Sequence, residues 1–250
     1  MNDPAGDDSS TSPTDRAYQR FRAIRGSAAE FGFESPDLSE ADTRAKLIDP
    51  LFRDVLQWSE AEIRREEPST DGFADYTFGS DTIHLLVEAK RALPRFVIDA
   101  PSLARKLKLD GPHLLAQKTV RPIIEQVQRY AADLGAQFAV ATNGGQFIIF
   151  RPYIPGRKWT DGIAIVFHHP DDVLNHFAEF HRLLAHDNVT AGSLLEAFAT
   201  YESITQTLFT PINTIQNSDW ELIRNPYWSK MSEIMGPLLS DQLDDAGLRE

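Results

Sequence analysis

The sequence has no cysteine, and that absence removes several kinds of chemistry at once. A disulfide framework, a thiolate metal site and a cysteine nucleophile are all excluded. Long apolar runs are also missing: nothing approaches the roughly 20 consecutive apolar residues that span a bilayer. The opening stretch MNDPAGDDSSTSPTD is acidic and rich in Ser and Pro, without the basic start and apolar centre of a secretory signal. A cytoplasmic location with no membrane partner is the expectation. Basic residues are scarce, 25 Lys and Arg against 37 Asp and Glu, for a net charge of −12. As a sum this disfavours nucleic acid, because phosphates repel an acidic surface.

The sum hides the distribution. Residues 1–39 carry 4 basic and 7 acidic residues, residues 40–160 carry 17 and 16, and residues 161–250 carry 4 and 14. Within 91–129 there are 8 basic and 3 acidic residues, a local charge of +5. The acidity is therefore mostly C-terminal, and the middle of the chain holds a basic stretch that suits phosphates or, equally, a solvated helix and loop.

At 250 residues with 42% hydrophobic content, the chain is long enough for one large domain or a domain with an appendage. Residues 1–15 read as a disordered tail. DRAYQRFRAIRGSAAEFG predicts a short helix with Tyr18, Phe21 and Ile24 on one side. SEADTRAKLIDPLFRDVLQW predicts a stronger one, capped by Ser39, with Leu47, Leu51 and Val55 on one face and Pro50 kinking or dividing it. AEIRREEP, GFADYTF and IHLLVEAK read as strands, the last two joined by the turn GSDT. VRPIIEQVQRYAADLG is a helix stopped by Gly135, QFAVATNGGQFIIFRP a strand pair around Asn-Gly, and GIAIVFHHP a further strand. From Pro170 the pattern turns helical. The expectation is an α/β core with a mixed sheet over 16–170, then an acidic helical appendage or linker over 171–250.

Within TIHLLVEAKRA, Glu88 and Lys90 lie two residues apart, so a strand points both to one side. A Glu-x-Lys at a strand end reads as a surface ion pair or as part of a phosphodiesterase site. Pairing Phe78 opposite Ile83 across GSDT places Asp75 diagonal to Glu88 on the same side. Two carboxylates and one ammonium then meet at one end of a hairpin. Mg²⁺ takes hard oxygens, commonly one or two carboxylates with phosphate and water. A compact ammonium beside it can orient that water or neutralise charge on the phosphate. The Ala89 carbonyl is a further candidate ligand.

Asp75 followed by Glu88-Ala89-Lys90 resembles the PD-(D/E)XK nuclease superfamily. Three more stretches carry the resemblance toward the nuclease domain of type I restriction enzyme R subunits. These are EADTRAKLIDPLFRDVLQW with Glu40 before Thr43-Arg44, Gln126-x-x-x-Tyr130 in EQVQRYA, and VATNGGQFIIF. The match covers about residues 40–150, in order. It implies a restriction-endonuclease-like fold, Asp75 and Glu88 as ligands of Mg²⁺ (with Mn²⁺ as substitute), and Lys90 as the catalytic lysine. It further implies Glu40 as an acidic helical residue near the metal and Gln126 and Tyr130 as an accessory pair. Gln126 and Tyr130 share a helix face by spacing alone, and an amphipathic helix with Tyr130 in the core explains them as well. Glu40 also suits the first turn of a helix as a charge.

The resemblance departs in Leu56-Gln57-Trp58, where the family shows Leu-Gly-Trp, and in the lack of a GxxxxGK[ST] phosphate loop. No motor is encoded, so a protein partner or further module supplying motor or sensor is expected, with a second copy of the chain another partner. The implied activity is DNA cleavage, DNA before RNA, in defence against foreign DNA. A non-catalytic binding module of the same fold and a RecB-like repair exonuclease are the alternatives. Five histidines, His168, His169, His176, His181 and His186, cluster in sequence, but steps of five rotate around a helix and do not line a metal site. His84 reads as a structural histidine or a substrate contact. Trp220, Tyr227 and Trp228 read as helix packing or a partner-facing patch.

Overall fold

Short side-chain caps set where the first helices start. The computed structural model describes residues 12–30, 38–98, 100 and 105–199. Ser12 stands before α1 (Pro13–Glu30), and its Oγ accepts from the Asp15 N–H at 3.1 Å. The helix thus begins within the tail expected to be disordered. Ala17 and Phe21 are buried, and the Tyr18 ring lies 5.3 Å from Phe177.

At α2 (Glu40–Thr43) Ser39 accepts from the Asp42 N–H and the Asp42 carboxylate accepts back from Ser39, a full capping box. The helix continues through two π-helical segments, Arg44–Ile48 and Leu51–Val55, with Pro50 between them at φ −67° and ψ −29°. Proline has no N–H and crowds the preceding turn. The expected break takes the form of wider turns on either side, where Asp49 donates to the Arg44 carbonyl and Leu56 to that of Leu51. Leu47, Leu51 and Val55 are buried as their spacing predicts.

Seven strands form one mixed sheet: β1 (Ile63–Ser69), β2 (Gly72–Phe78), β3 (Leu85–Ala89), β4 (Lys106–Lys108), β5 (Phe138–Thr142), β6 (Phe147–Phe150) and β7 (Ile163–Phe167). Their order is β1-β2-β3-β5-β6-β7-β4. Only β3 and β5 pair in parallel, and a parallel pair requires a crossover. That crossover includes α3 (Arg121–Asp133), which ends at Leu134 before Gly135 at φ +70°. Strand β4 was not expected. Its three residues, Lys-Leu-Lys, are too short to show a period and cover the β7 edge.

The sheet buries both faces. On one, Ile124, Val127 and Tyr130 of α3 pack with Leu86, Ala139, Ala141, Ile148 and Val166. On the other, Phe78 stacks on Phe52 at 4.4 Å and meets Trp58 at 5.2 Å. The chain is therefore α/β, with a mixed sheet flanked by helices. Among the described residues no helix is long and apolar enough to cross a membrane.

Charge predicts an appendage from 171, but the compact unit runs on to Phe198. After β7 come α4 (Pro170–Asn175), α5 (Phe177–Leu184), α6 (His186–Thr190) and helical residues 193–199. Phe180 packs edge-on to Phe147 and Phe167, and Trp58 Nε1 donates to the Leu184 carbonyl at 3.0 Å. Apolar burial, not charge, decides where the unit ends. Trp220, Tyr227 and Trp228, read from the sequence as helix packing or a partner-facing patch, lie outside the described residues.

Candidate active site

The hairpin of β2 and β3 brings the carboxylates together, in a register different from the expected one. Phe78 pairs with Leu85, Thr77 with Leu86 and Tyr76 with Val87. The link is six residues, turning at Gly79 with φ +125°, where a Cβ would collide with the Thr82 carbonyl. The register moves by two from the expected one, and the paired residues end at Tyr76–Val87, one short of Asp75 and Glu88. Asp75 still lies close enough for its charge to act on Glu88.

Asp75 sits where β2 turns over. Ala74 packs with the α3 cluster, whereas Tyr76 and Phe78 stack on each other in the group around Phe52. Across the other edge, Glu66 of β1 adopts φ +55° between the pairs Arg65–Tyr76 and Glu67–Ala74. At this point a side chain replaces a ladder bond. Asp75 Oδ2 accepts from the Ala89 N–H at 2.7 Å, and Oδ1 accepts from Arg44 at 2.9 Å.

Glu88 is only 3% exposed. Its Oε1 accepts from Lys90 Nζ at 2.8 Å, while Oε2 is buried without a hydrogen-bond partner. Burial first, and then the charge of Asp75, push this carboxyl up to about 7 against the opposing pull of Lys90. A buried polar atom without a partner is costly and calls for an explanation. A divalent cation would provide one. Asp75 and Glu88 offer hard oxygens, and Mg²⁺ commonly takes just one or two carboxylates. Among the described residues no three or more His, Asp or Glu side chains converge, so a closed all-protein cage is absent there. The pair fits Mg²⁺ completed by water and phosphate. The Lys90 and Arg44 side chains are a quarter exposed, which opens the site on their side.

The other expected site residues fall around this pair at differing reach. Ala89 engages Asp75 through its N–H. Gln126 Nε2 donates to the Tyr130 hydroxyl at 3.2 Å. Tyr130 is also a core residue, and its hydroxyl lies against Gly72 at the start of β2, where a Cβ would sit 2.8 Å away. The core reading of Tyr130 holds, and the hydrogen bond ties Gln126 to it. Neither residue hydrogen-bonds Asp75 or Glu88. Glu40 stands one turn before Arg44 on the same helix face, and it too makes no hydrogen bond to the pair.

Three residues that sequence reasoning left without a role complete the surroundings. Arg44 and Asp75 are 31 residues apart, and no periodicity links them. Thr43 Oγ1 accepts from the Ala92 N–H at 3.2 Å. Gln146, 3% exposed, accepts from the Phe96 N–H at 2.7 Å and donates to the Phe96 and His168 carbonyls. The last two pin the irregular segment that follows Lys90. The histidines do not gather. His186 bridges Glu62 and Asp187 at 3.0 and 2.7 Å, His169 caps α4, and His84 meets Gln137 just before β3, at the end away from Glu88. A cavity of about 450 Å³ lined by Arg16, Arg20, Gln57, His181 and His186 lies between α1 and the α5–α6 region, apart from the carboxylates. In comparisons with known proteins no family model, no curated protein and no solved structure matches this chain, so its functional reading rests on the chemistry of the site.

Proposed function

We propose that this protein is a Mg²⁺-dependent nuclease of restriction-endonuclease-like type that hydrolyses phosphodiester bonds, DNA before RNA, in defence against foreign DNA. One observation carries the reading. Glu88 is buried with an unpartnered oxygen, beside Asp75 and within 2.8 Å of Lys90. Asp75 and Glu88 would hold the ion, which when bound supplies charge neutralisation and a more acidic water. The Ala89 N–H fixes the Asp75 carboxylate, and Lys90 fixes Glu88 Oε1. The Lys90 ammonium, a quarter exposed, stands ready to neutralise negative charge on a phosphate oxygen. Exposed Arg91, Lys106, Lys108, Lys118 and Arg121 supply positive charge for a nucleic-acid backbone. Target choice or activation falls to a protein partner, since no motor motif is present in the sequence.

A second reading has its own observation: Lys90 and Arg44 neutralise Glu88 and Asp75 one for one, as in a structural ion-pair cluster. The chain would then bind nucleic acid without cutting it. The deciding experiment incubates the full chain with plasmid, linear DNA, single strands and RNA in Mg²⁺, Mn²⁺ or EDTA. Cleavage that EDTA stops, and that Asp75→Asn and Glu88→Gln each reduce at least about a hundredfold while folded, supports the nuclease. Binding without cleavage in every metal supports the second reading.

A further inference from the structure

Arg44 occupies a place that a cation would want. Its guanidinium lies 2.9 Å from Asp75 Oδ1, and the same nitrogen lies 3.6 Å from Glu66 Oε1. The two carboxylates differ in setting: the Asp75 side chain is 13% exposed and that of Glu66 is 69% exposed. Glu66 holds its place through a backbone that L residues rarely adopt, φ +55°, in mid-strand and opposite Asp75. Such conformations persist where the surroundings impose them, and they concentrate at working sites. An arginine does not shed its charge at ordinary pH, so it leaves a carboxylate only when another cation displaces it and another anion receives it. Both conditions are present: an unsatisfied carboxylate oxygen on Glu88 to draw a cation, and Glu66 to take the guanidinium.

Building on the metal reading above, we infer that Arg44 is the resident counter-ion of Asp75 in the metal-free site and passes to Glu66 when a divalent cation enters. Arg44 is then a positioning residue whose release sets metal affinity, and Glu66 is its receiver. The exchange makes no covalent bond and moves no proton. It keeps Asp75 facing a cation in both states, so its charge is never left bare in its largely buried setting. It also predicts that the effect of Glu66 on metal binding depends on Arg44, which two independent charges do not produce.

The test is calorimetric titration of Mn²⁺ and of Mg²⁺ into the full chain without nucleic acid. Arg44→Gln is expected to tighten binding about three- to tenfold, the scale of removing one competing ion pair. Glu66→Gln is expected to weaken it several-fold in the wild type and to change nothing in the Arg44→Gln background. If Arg44→Gln does not fold, Arg44→Lys, whose single ammonium cannot fork between carboxylates, should tighten binding by a smaller factor. Unchanged or weaker binding on substitution of Arg44 overturns the inference while the metal site stands. So does an equal effect of Glu66→Gln in both backgrounds, which would make Glu66 a simple added charge. No binding by any of these proteins overturns both the exchange and the metal reading beneath it.

Discussion

Glu88 is where stability and the proposed function pull apart. Its carboxyl titrates at about 7 when folded and at 4.5 ordinarily, because burial disfavours the charge. Between those pH values the folded chain keeps a proton that the unfolded chain has released. Stability therefore falls as pH rises from about 4.5 to 7 and stays reduced above that, by at most roughly 3 kcal/mol. Glu88→Gln carries no charge at any pH. It should exceed the wild type in stability at pH 8 by about 1–3 kcal/mol in urea unfolding, with the gain vanishing near pH 4.5. A gain that is the same at both pH values would mean that burial of the charge is not its source. Mg²⁺ should restore the wild type toward the variant at pH 8 and leave the variant unmoved, since binding to the folded state alone stabilises it. Under the proposed nuclease reading, Lys90 acts apart from metal binding. Lys90→Ala should abolish plasmid cleavage yet still take up Mn²⁺ in a calorimeter, because an ammonium is not a ligand.

At the level of elements, the site depends on two supports that hold an irregular segment against regular ones. The β5–β6 turn presents Gln146, whose amide meets both backbone groups of Phe96 and the His168 carbonyl. The α2 end presents Thr43 to Ala92. Replacing Gln146 with Leu strands several buried backbone groups at once, each costing about 1–3 kcal/mol. The expected loss is roughly 2–4 kcal/mol by urea unfolding, with proteolytic nicking appearing in 91–98. A loss below about 0.5 kcal/mol would place those groups in contact with water instead. Gly144, at φ +83° in the same turn, faces Leu47 so closely that a Cβ would lie 2.9 Å from Cδ1. The turn and the helix thus pack directly on one another.

For the whole molecule, the limit of the folded unit is the quantity to test. Ending the chain at Pro170 removes Phe177, Phe180, Leu183 and Leu184, all 5% exposed or less, and the acceptor of the Trp58 indole. At about 1.5–3 kcal/mol for each side chain, that loss rivals the 5–15 kcal/mol that typically holds a domain together. The 1–170 fragment should show no cooperative melting by circular dichroism. Ending the chain after Phe198, where the compact unit closes, should keep a cooperative transition and the plasmid cleavage proposed here. If 1–170 melts cooperatively instead, α5 and α6 are dispensable and charge marks the boundary after all.

Much of the layout was legible because local pattern and tertiary burial agree. Six of the seven strands are readable in the sequence, β3, β5, β6 and β7 from their apolar runs, with the turn residues Gly79 and Asn143-Gly144 marking two of the connections. The α2 region is readable from Ser39 and the spacing of Leu47, Leu51 and Val55. The assumed turn and period-two alternation together predicted that Asp75 and Glu88 lie near each other, and the charge of Asp75 does act on the Glu88 carboxyl. Tertiary structure decided the rest. It chose the partner of Asp75, Arg44, across 31 residues, and it buried Glu88 enough to leave one oxygen bare. It also extended the folded unit past an acidic boundary to Phe198. Periodicity records which way a side chain points relative to its own backbone. What stands there to meet it, and whether water remains, depends on distant segments packed against it, and no local pattern in the chain carries that information.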